Sequence, residues 1–225
     1  LFPLQGRSIS GERGILFKIA IEKKEISGVI VTDFIERNDL NFIKEKGIPV
    51  VLIGNYYEGM DIVSIIPDFE FLGEEVTEEL IDDGYKRIGV ILGPLSQAKK
   101  LGAISLSVLF LKGYKKAIEK NGIEFEKNLI KETNYHQEEG EKCIKELLSL
   151  KNIPDAVIIL DNKMVERAEN INKGRIYIKS SHSYGFSDRE IGEKAIETLE
   201  KLINGEIIFN NRIIIPYKEE KEENN

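Results

Sequence analysis

The chain has no tryptophan, one cysteine, two histidines and six prolines among its 225 residues. A lone cysteine, Cys143, excludes an internal disulfide framework and fits a reducing compartment. His136 and His182 stand far apart in sequence, and none of these three residues has metal-ligand spacing. No apolar run approaches the roughly 18–20 residues of a membrane span. A surplus of positive charge is also missing: 32 Lys and Arg face 39 Asp and Glu, for a net charge of −7. With its lysines interleaved among glutamates, the chain is poorly suited to gripping nucleic-acid phosphates by itself. Walker-type and G-x-G-x-x-G loops are absent, so nucleotide binding lacks its usual sign. Ser180-Ser181-His182-Ser183 contains a nucleophile and a base but no strained elbow around them, and reads as a polar loop. Nothing specific points to paired acids for glycoside hydrolysis. No cofactor or metal is expected.

What is present is regular. Hydrophobic residues make up 41% of the chain, enough for a packed core. Short β-branched runs alternate with longer segments of helical period. Gly28–Val31, Pro49–Ile53, Val63–Ile66, Ile88–Leu92, Asp155–Leu160, Arg175–Lys179 and Arg212–Tyr217 read as strands. Lys127–Glu132 adds a short strand, and Leu1–Leu4 is a truncated one. Helices are expected over Ile15–Lys24, Asp39–Lys46 behind an Asn38 cap, Leu106–Asn121, Gln137–Leu150, Lys163–Asn170 and Ser187–Asn204. Asn55–Asp61 reads as a polar loop, and a long connection follows Gly93. This alternation implies an α/β fold of parallel sheets with right-handed crossovers.

The densest passage is Val63–Pro94, VSIIPDFEFLGEEVTEELIDDGYKRIGVILGP. Pro67 ends its first strand, and Asp68 stands at the carboxyl end, where open α/β sheets hold ligands. Leu72, Val76 and Leu80 form one apolar stripe, and Gly84 stops the helix. Asp161, with Asn162 beside it, follows the strand Asp155–Leu160 in the same way. Both acids have two readings: hydrogen-bond acceptors for a hydroxyl-rich ligand, or caps of the helices that follow them.

Six segments in order, GVIV at Gly28, GIPVVLIG at Gly47, the Val63 passage, LKGYKKAIEKNGI at Leu111, PDAVIILDNKMV at Pro154 and REIGEKAIETLEKLINGE at Arg189, resemble the effector-binding core of LacI/GalR transcriptional regulators. The likeness runs from about Ser27 to Pro216. It implies two periplasmic-binding-protein-like lobes, each a parallel sheet flanked by helices, with a small effector held between them. The lobes are expected to comprise residues 1–83 with 187–204, and 84–186 with 205–217. Leu1–Leu4 aligns with the family's second strand, so the first lobe is expected to lack its first strand and helix. Residues 218–225 form a charged tail expected to fray. Asp83, Gly84 and Gly205 would serve the hinge, together with the stretch Tyr184–Ser187.

By the same resemblance Asp68, Asp161 and Asn162 would contact the effector, although the family's Asn-Asp pair stands reversed here. Sugar-binding members carry an arginine three residues before the glycine matching Gly113, where this chain has Phe110. Phe69, Phe110 and Tyr184 are then either a stacking wall of the ligand site or ordinary core aromatics. The implied protein is a cytoplasmic homodimeric repressor that reaches operator DNA through an N-terminal helix-turn-helix outside these residues, with no membrane partner. A periplasmic sugar-binding protein of a transporter is the alternative reading, and a sugar-processing enzyme using Asp68 or Asp161 a third.

Overall fold

The computed structural model describes residues 11–181 and 186–217, with side chains from residue 14 onward. Leu1–Leu4, Tyr184 and the tail 218–225 lie outside the described residues. The expected alternation of parallel strands and helices is present, divided into two compact units.

The first unit holds residues 11–67, 98–105 and 186–216. Its main sheet is built from β1 (Val29–Val31), β2 (Val50–Ile53), β4 (Val63–Pro67) and β10 (Arg212–Ile215), all parallel, in the order β1-β2-β4-β10. β2 and β4 are almost wholly buried, as continuous β-branched runs in a covered parallel sheet should be. Helix α8 (Asp188–Ile203) closes one face, and Ile191 and Ala195 join Val51, Ile65 and Ile215 in one cluster. Ser187 caps α8 by accepting from Glu190 N–H. α1 (Gly11–Glu22) and α2 (Arg37–Glu45) also belong to this unit. Asn38 lies inside α2; the cap position belongs to Glu36, whose side chain makes no capping bond.

The second unit holds residues 68–97 and 106–181, with Tyr217. Its sheet runs β7 (Ile130–Glu132), β5 (Ile88–Leu92), β8 (Ala156–Ile159), β9 (Tyr177–Ser180), again all parallel. Helices α6 (Gln137–Leu148) and α7 (Val165–Asn172) cover it through Cys143, Ile144, Leu147 and Ala168. Helices α3 (Phe69–Asp82) and α5 (Leu106–Lys120) pack tightly on one another. The contact needs glycine on both sides. A Cβ on Gly73 would lie 3.1 Å from Phe110 Cα, and one on Gly113 2.7 Å from Glu74 N. Outside this seam Lys112, Lys116 and Lys120 pair with Glu70, Glu74 and Glu78, one helical turn apart each time.

Three expectations about the lobes need correction. Arg212–Ile215 does not finish the second unit; it pairs with β4, because Ile213 and Ile215 complete the cluster under α8. The helix after Asp68 belongs to the second unit, since its apolar stripe and Gly73 are matched to α5, so the chain leaves the first unit between Pro67 and Asp68. Asp83 and Gly84 are therefore not a crossing. Gly84, with φ +96°, turns α3 into β5 inside one unit, and Gly205, with φ +80°, ends α8 inside the other. A left-handed glycine here marks a helix stop.

The loop regions hold a further difference. β3 (Asn55–Tyr57), read from sequence as loop, pairs antiparallel with β6 (Ala103–Ser105), which follows the short helix α4 (Leu95–Leu101) in the connection after Gly93.

Candidate functional site

Four parallel strands of the second unit end on the same side, and their polar successors gather there. Gly93 follows β5, Thr133-Asn134-Tyr135 follows β7, Asp161-Asn162 comes two residues after β8, and Ser181 follows β9. This is the edge at which α/β sheets bind ligands.

Tyr135 is the distinctive member. Its φ is +64°, a left-handed backbone that costs a non-glycine residue roughly 1–2 kcal/mol. The conformation is imposed from both sides. Thr133 donates through its N–H and its hydroxyl to Leu92 O, at 2.9 and 2.8 Å. The Glu139 carboxylate accepts from the N–H groups of Asn134 and His136, at 2.6 and 3.1 Å. Burial pulls the Glu139 carboxyl upward, yet these N–H donors outweigh it and hold the group below its ordinary value. The tyrosine ring lies over Gly93, where a Cβ would come 2.7 Å from its Cε1. Ser107 Oγ accepts from Gly93 N–H at 3.0 Å and shares a hydrogen bond of 3.1 Å with Tyr135 Oη. An aromatic ring that keeps 45% of its exposure is thus fixed over a strand end.

Asp161 is half-buried and accepts from Lys163 N–H at 2.9 Å, capping the 3-10 turn that follows it. Asn162 is exposed and accepts from the Ser180 hydroxyl, while Ser181 Oγ donates to Leu160 O at 3.0 Å. These serines tie β9 to the end of β8; His182 and Ser183 lie outside the described residues. Asp68 caps α3 by accepting from Phe71 N–H at 3.1 Å and is half-buried, as is Phe69. The capping reading of both aspartates is therefore realised, and in each the Oδ1 atom serves the cap.

Phe110 corrects an expectation. It is 0% exposed, packed where α5 meets Gly73, and offers no surface to a ligand. It stands three residues before Gly113 and so faces the same helix seam. Tyr184 lies outside the described residues. Tyr135 escaped sequence reading because its neighbours look like an ordinary polar turn.

In the first unit the corresponding strand ends carry Asp33 and Asn55. Asp33 Oδ1 accepts from Phe34 N–H at 2.6 Å. Asn55 is only 4% exposed; its amide nitrogen reaches Asp33 O and Ile53 O, each at 3.4 Å, and its buried Oδ1 has no hydrogen-bond partner among the described residues. A cleft of about 350 Å³ in this unit, lined by Lys44, Val50, Asp61, Leu202, Ile207 and Asn211, opens instead at the amino ends of β2 and β4. It gathers none of the strand-end polar groups, so we place the candidate site at the carboxyl ends.

Cys143 is buried, and its thiol is pushed up to about 11 by burial and, secondarily, by Glu146. It is a core side chain and not a nucleophile. Among the described residues no cluster of His, Cys, Asp and Glu could hold a metal ion.

A family profile described as periplasmic binding proteins and sugar binding domain of LacI family matches residues 19–204. The catabolite control protein A of Priestia megaterium is 26% identical over 146 residues, covering 63% of this chain and 41% of that protein. The HTH-type transcriptional repressor PurR of Actinobacillus pleuropneumoniae serotype 5b is 26% identical over 199 residues, covering 79% of this chain and 57% of that protein. The chain thus spans about half the length of these curated relatives. In three dimensions it resembles the transcription regulator CcpA of Lactococcus lactis, with TM-score 0.78 and 20% identity, over 92% of this chain and 81% of that one. It also resembles the transcriptional regulator CelR in its cellobiose complex, with TM-score 0.76 and 19% identity, over 93% of this chain and 69% of that one. The order of strand–helix units, the polar groups at their carboxyl ends and the match over residues 19–204 agree: this chain belongs to the family of periplasmic binding proteins and sugar-binding domains of LacI-type regulators.

Proposed function

We propose that the chain is the ligand-sensing and dimerisation core of a LacI-type transcriptional repressor acting in the cytoplasm. A small effector, a sugar or related metabolite, is held by the polar groups at the carboxyl ends of the strands: Asp68, Phe69, Asp161 and Asn162, with Tyr135 as an aromatic wall. The residues catalyse nothing; they let effector binding bias one arrangement of the protein over another, and a homodimer passes that bias to a separate N-terminal domain on operator DNA. The observation that carries this reading is the family match across residues 19–204, supported by the regulator names of the relatives. The pairing of an exposed aromatic ring with the half-buried carboxylates of Asp68 and Asp161 and the exposed amide of Asn162 suits a hydroxyl-bearing ring compound, which offers an apolar face and a hydrogen-bonding rim. The family description also covers periplasmic binding proteins, which keeps a transport role as the competing reading. Among the described residues no helix is long and apolar enough to cross a membrane.

A melting screen against mono- and disaccharides, nucleobases and amino acids tests the reading. A true effector at a hundred times its Kd adds about 2.7 kcal/mol of stability. Operator binding by the whole protein should then change with that compound, and light scattering should give a dimer. An effector that binds tightly but leaves operator affinity untouched would favour the transport role, and no hit across the panel would count against both.

A further inference from the structure

Tyr135 is tied at both its ends to one peptide group, Leu92–Gly93, where β5 stops. The carbonyl side of that group holds the root of the tyrosine. Leu92 O accepts from the N–H and the hydroxyl of Thr133, two residues before Tyr135. The N–H side reaches its tip: Gly93 N–H donates to Ser107 Oγ at 3.0 Å, and Ser107 Oγ lies 3.1 Å from Tyr135 Oη. The C=O and N–H of a trans peptide point opposite ways, so root and tip are fastened on opposite edges of one group. The ring fits between them because Gly93 has no Cβ; one there would fall 2.7 Å from Tyr135 Cε1. All of these residues belong to the second unit.

Ser107 is the middle link. It is 1% exposed, and among the described residues its hydroxyl bonds only to Gly93 N–H and Tyr135 Oη. Gly93 N–H can only donate, so the serine oxygen accepts there, and its own proton has one acceptor within reach, the Tyr135 oxygen. The opposite arrangement, with Tyr135 donating, would leave a buried hydroxyl proton without a partner and carry the desolvation penalty of an unsatisfied donor. The order is therefore Gly93 N–H to Ser107, and Ser107 O–H to Tyr135. Ser107 is itself well anchored, as the second residue of α5, whose Gly113 is pressed against the backbone of Glu70 and Glu74 on α3. A hydroxyl on a packed helix holds its partner more exactly than one on a loop.

We propose that Ser107 is the positioning residue of the strand-end site: its hydroxyl relays Gly93 N–H to the phenol and fixes the ring over Gly93, with the phenol's own proton turned away from Ser107. A ring seated in advance loses less side-chain freedom when a ring compound stacks on it. That the seated ring serves an effector rests on the reading given above; the seating itself does not.

The test needs no effector, so the two can fail separately. In the full chain with isotopically labelled tyrosine rings, the Tyr135 signal is the one missing from Tyr135→Phe, and magnetisation transfer from it to the Gly93 α protons reports the seat. Ser107→Ala should abolish that transfer and raise amide exchange at Gly93 about tenfold. Faster exchange with the transfer intact would reduce Ser107 to a partner for Gly93 N–H and overturn the positioning role. No change in either would overturn the bond as well. Tyr135→Phe keeps a ring that shields Ser107 from water but strands the serine proton, so the melting temperature should fall while Gly93 exchange stays as it was. Should Ser107→Ala not fold, Tyr135→Phe decides by itself: an unchanged melting temperature would refute the relay.

Discussion

Gly113 on α5 meets Glu70 on α3 with no room for a side chain: a Cβ there would lie nearly on the Glu70 carbonyl oxygen and 3.0 Å from its carbonyl carbon. Because the obstacle is backbone, no rotamer change relieves it. Gly113→Ala should therefore push the helices apart and cost about 1–3 kcal/mol or more, the range of overpacking in a tight core. Urea titration of the variant would show a lower midpoint with little change in slope. A midpoint equal to that of the unsubstituted chain would mean that the seam is not close-packed.

Asp68 has a structural duty as cap and a proposed duty toward the effector, and two substitutions separate them. Asp68→Asn keeps a capping oxygen for Phe71 N–H, so its Tm should stay within a few degrees. Asp68→Ala removes the cap and should cost about 1 kcal/mol. If the carboxylate contacts the effector, both variants should lose affinity to a similar degree although only one is destabilised. Calorimetric titration with whichever compound the melting screen selects makes the comparison.

Tyr135 spends backbone strain to hold its ring over Gly93. Tyr135→Asn places a residue that tolerates the left-handed region, and so should be close to neutral in denaturant unfolding. Its effector affinity should fall, because the aromatic wall is gone. Full affinity in a well-folded Tyr135→Asn protein would remove the ring from the proposed site.

The acid limb of stability should begin near 4.5, the ordinary glutamate value. Glu126 is held below that value chiefly by its hydrogen bonds with Arg87, and Glu139 is held below it by backbone N–H donors that outweigh burial. Folded values below the unfolded ones mean that the unfolded chain takes up protons first as pH falls. The stabilisation is thus present above 4.5 and is lost as pH drops through the lower folded values. Arg87→Met should weaken stability at pH 7 and converge on the unsubstituted chain in strong acid. Parallel denaturation curves at several pH values would reveal a constant offset if the pair contributes no linkage.

Cys143 should resist thiol reagents in the native protein and react at an ordinary rate once unfolded, since burial both shields it and raises its thiol to about 11. Native-state labelling as fast as that of a free thiol would contradict the packing under α6.

Period and punctuation in the sequence were sufficient to locate nearly every element. Runs such as Val63–Pro67 and Ile88–Leu92 are continuous and β-branched because both faces of a parallel sheet are covered, and that demand is written locally. Asp68 and Asp161 were legible for the same reason: each directly follows a strand and precedes a turn it can cap. Tyr135 was not, because Thr133 and Glu139 fix its backbone locally but the seat of its ring depends on Gly93 and Ser107, which come from distant segments. Phe110 was left between two readings, of which the structure supports the core one, because an apolar residue on an amphipathic helix does not declare whether it faces a ligand or a neighbouring glycine.

The amino-acid sequence alone thus determined the α/β class, the run of strand–helix units and the family likeness, since each rests on patterns within a few turns or strands. Tertiary structure alone decided which unit owns each element. β10 joins β4 across nearly 150 residues, α3 departs with α5, and residues 98–105 go back to pair with β3. Such pairings are selected by shape and by apolar area shared between distant segments, and no local period encodes them.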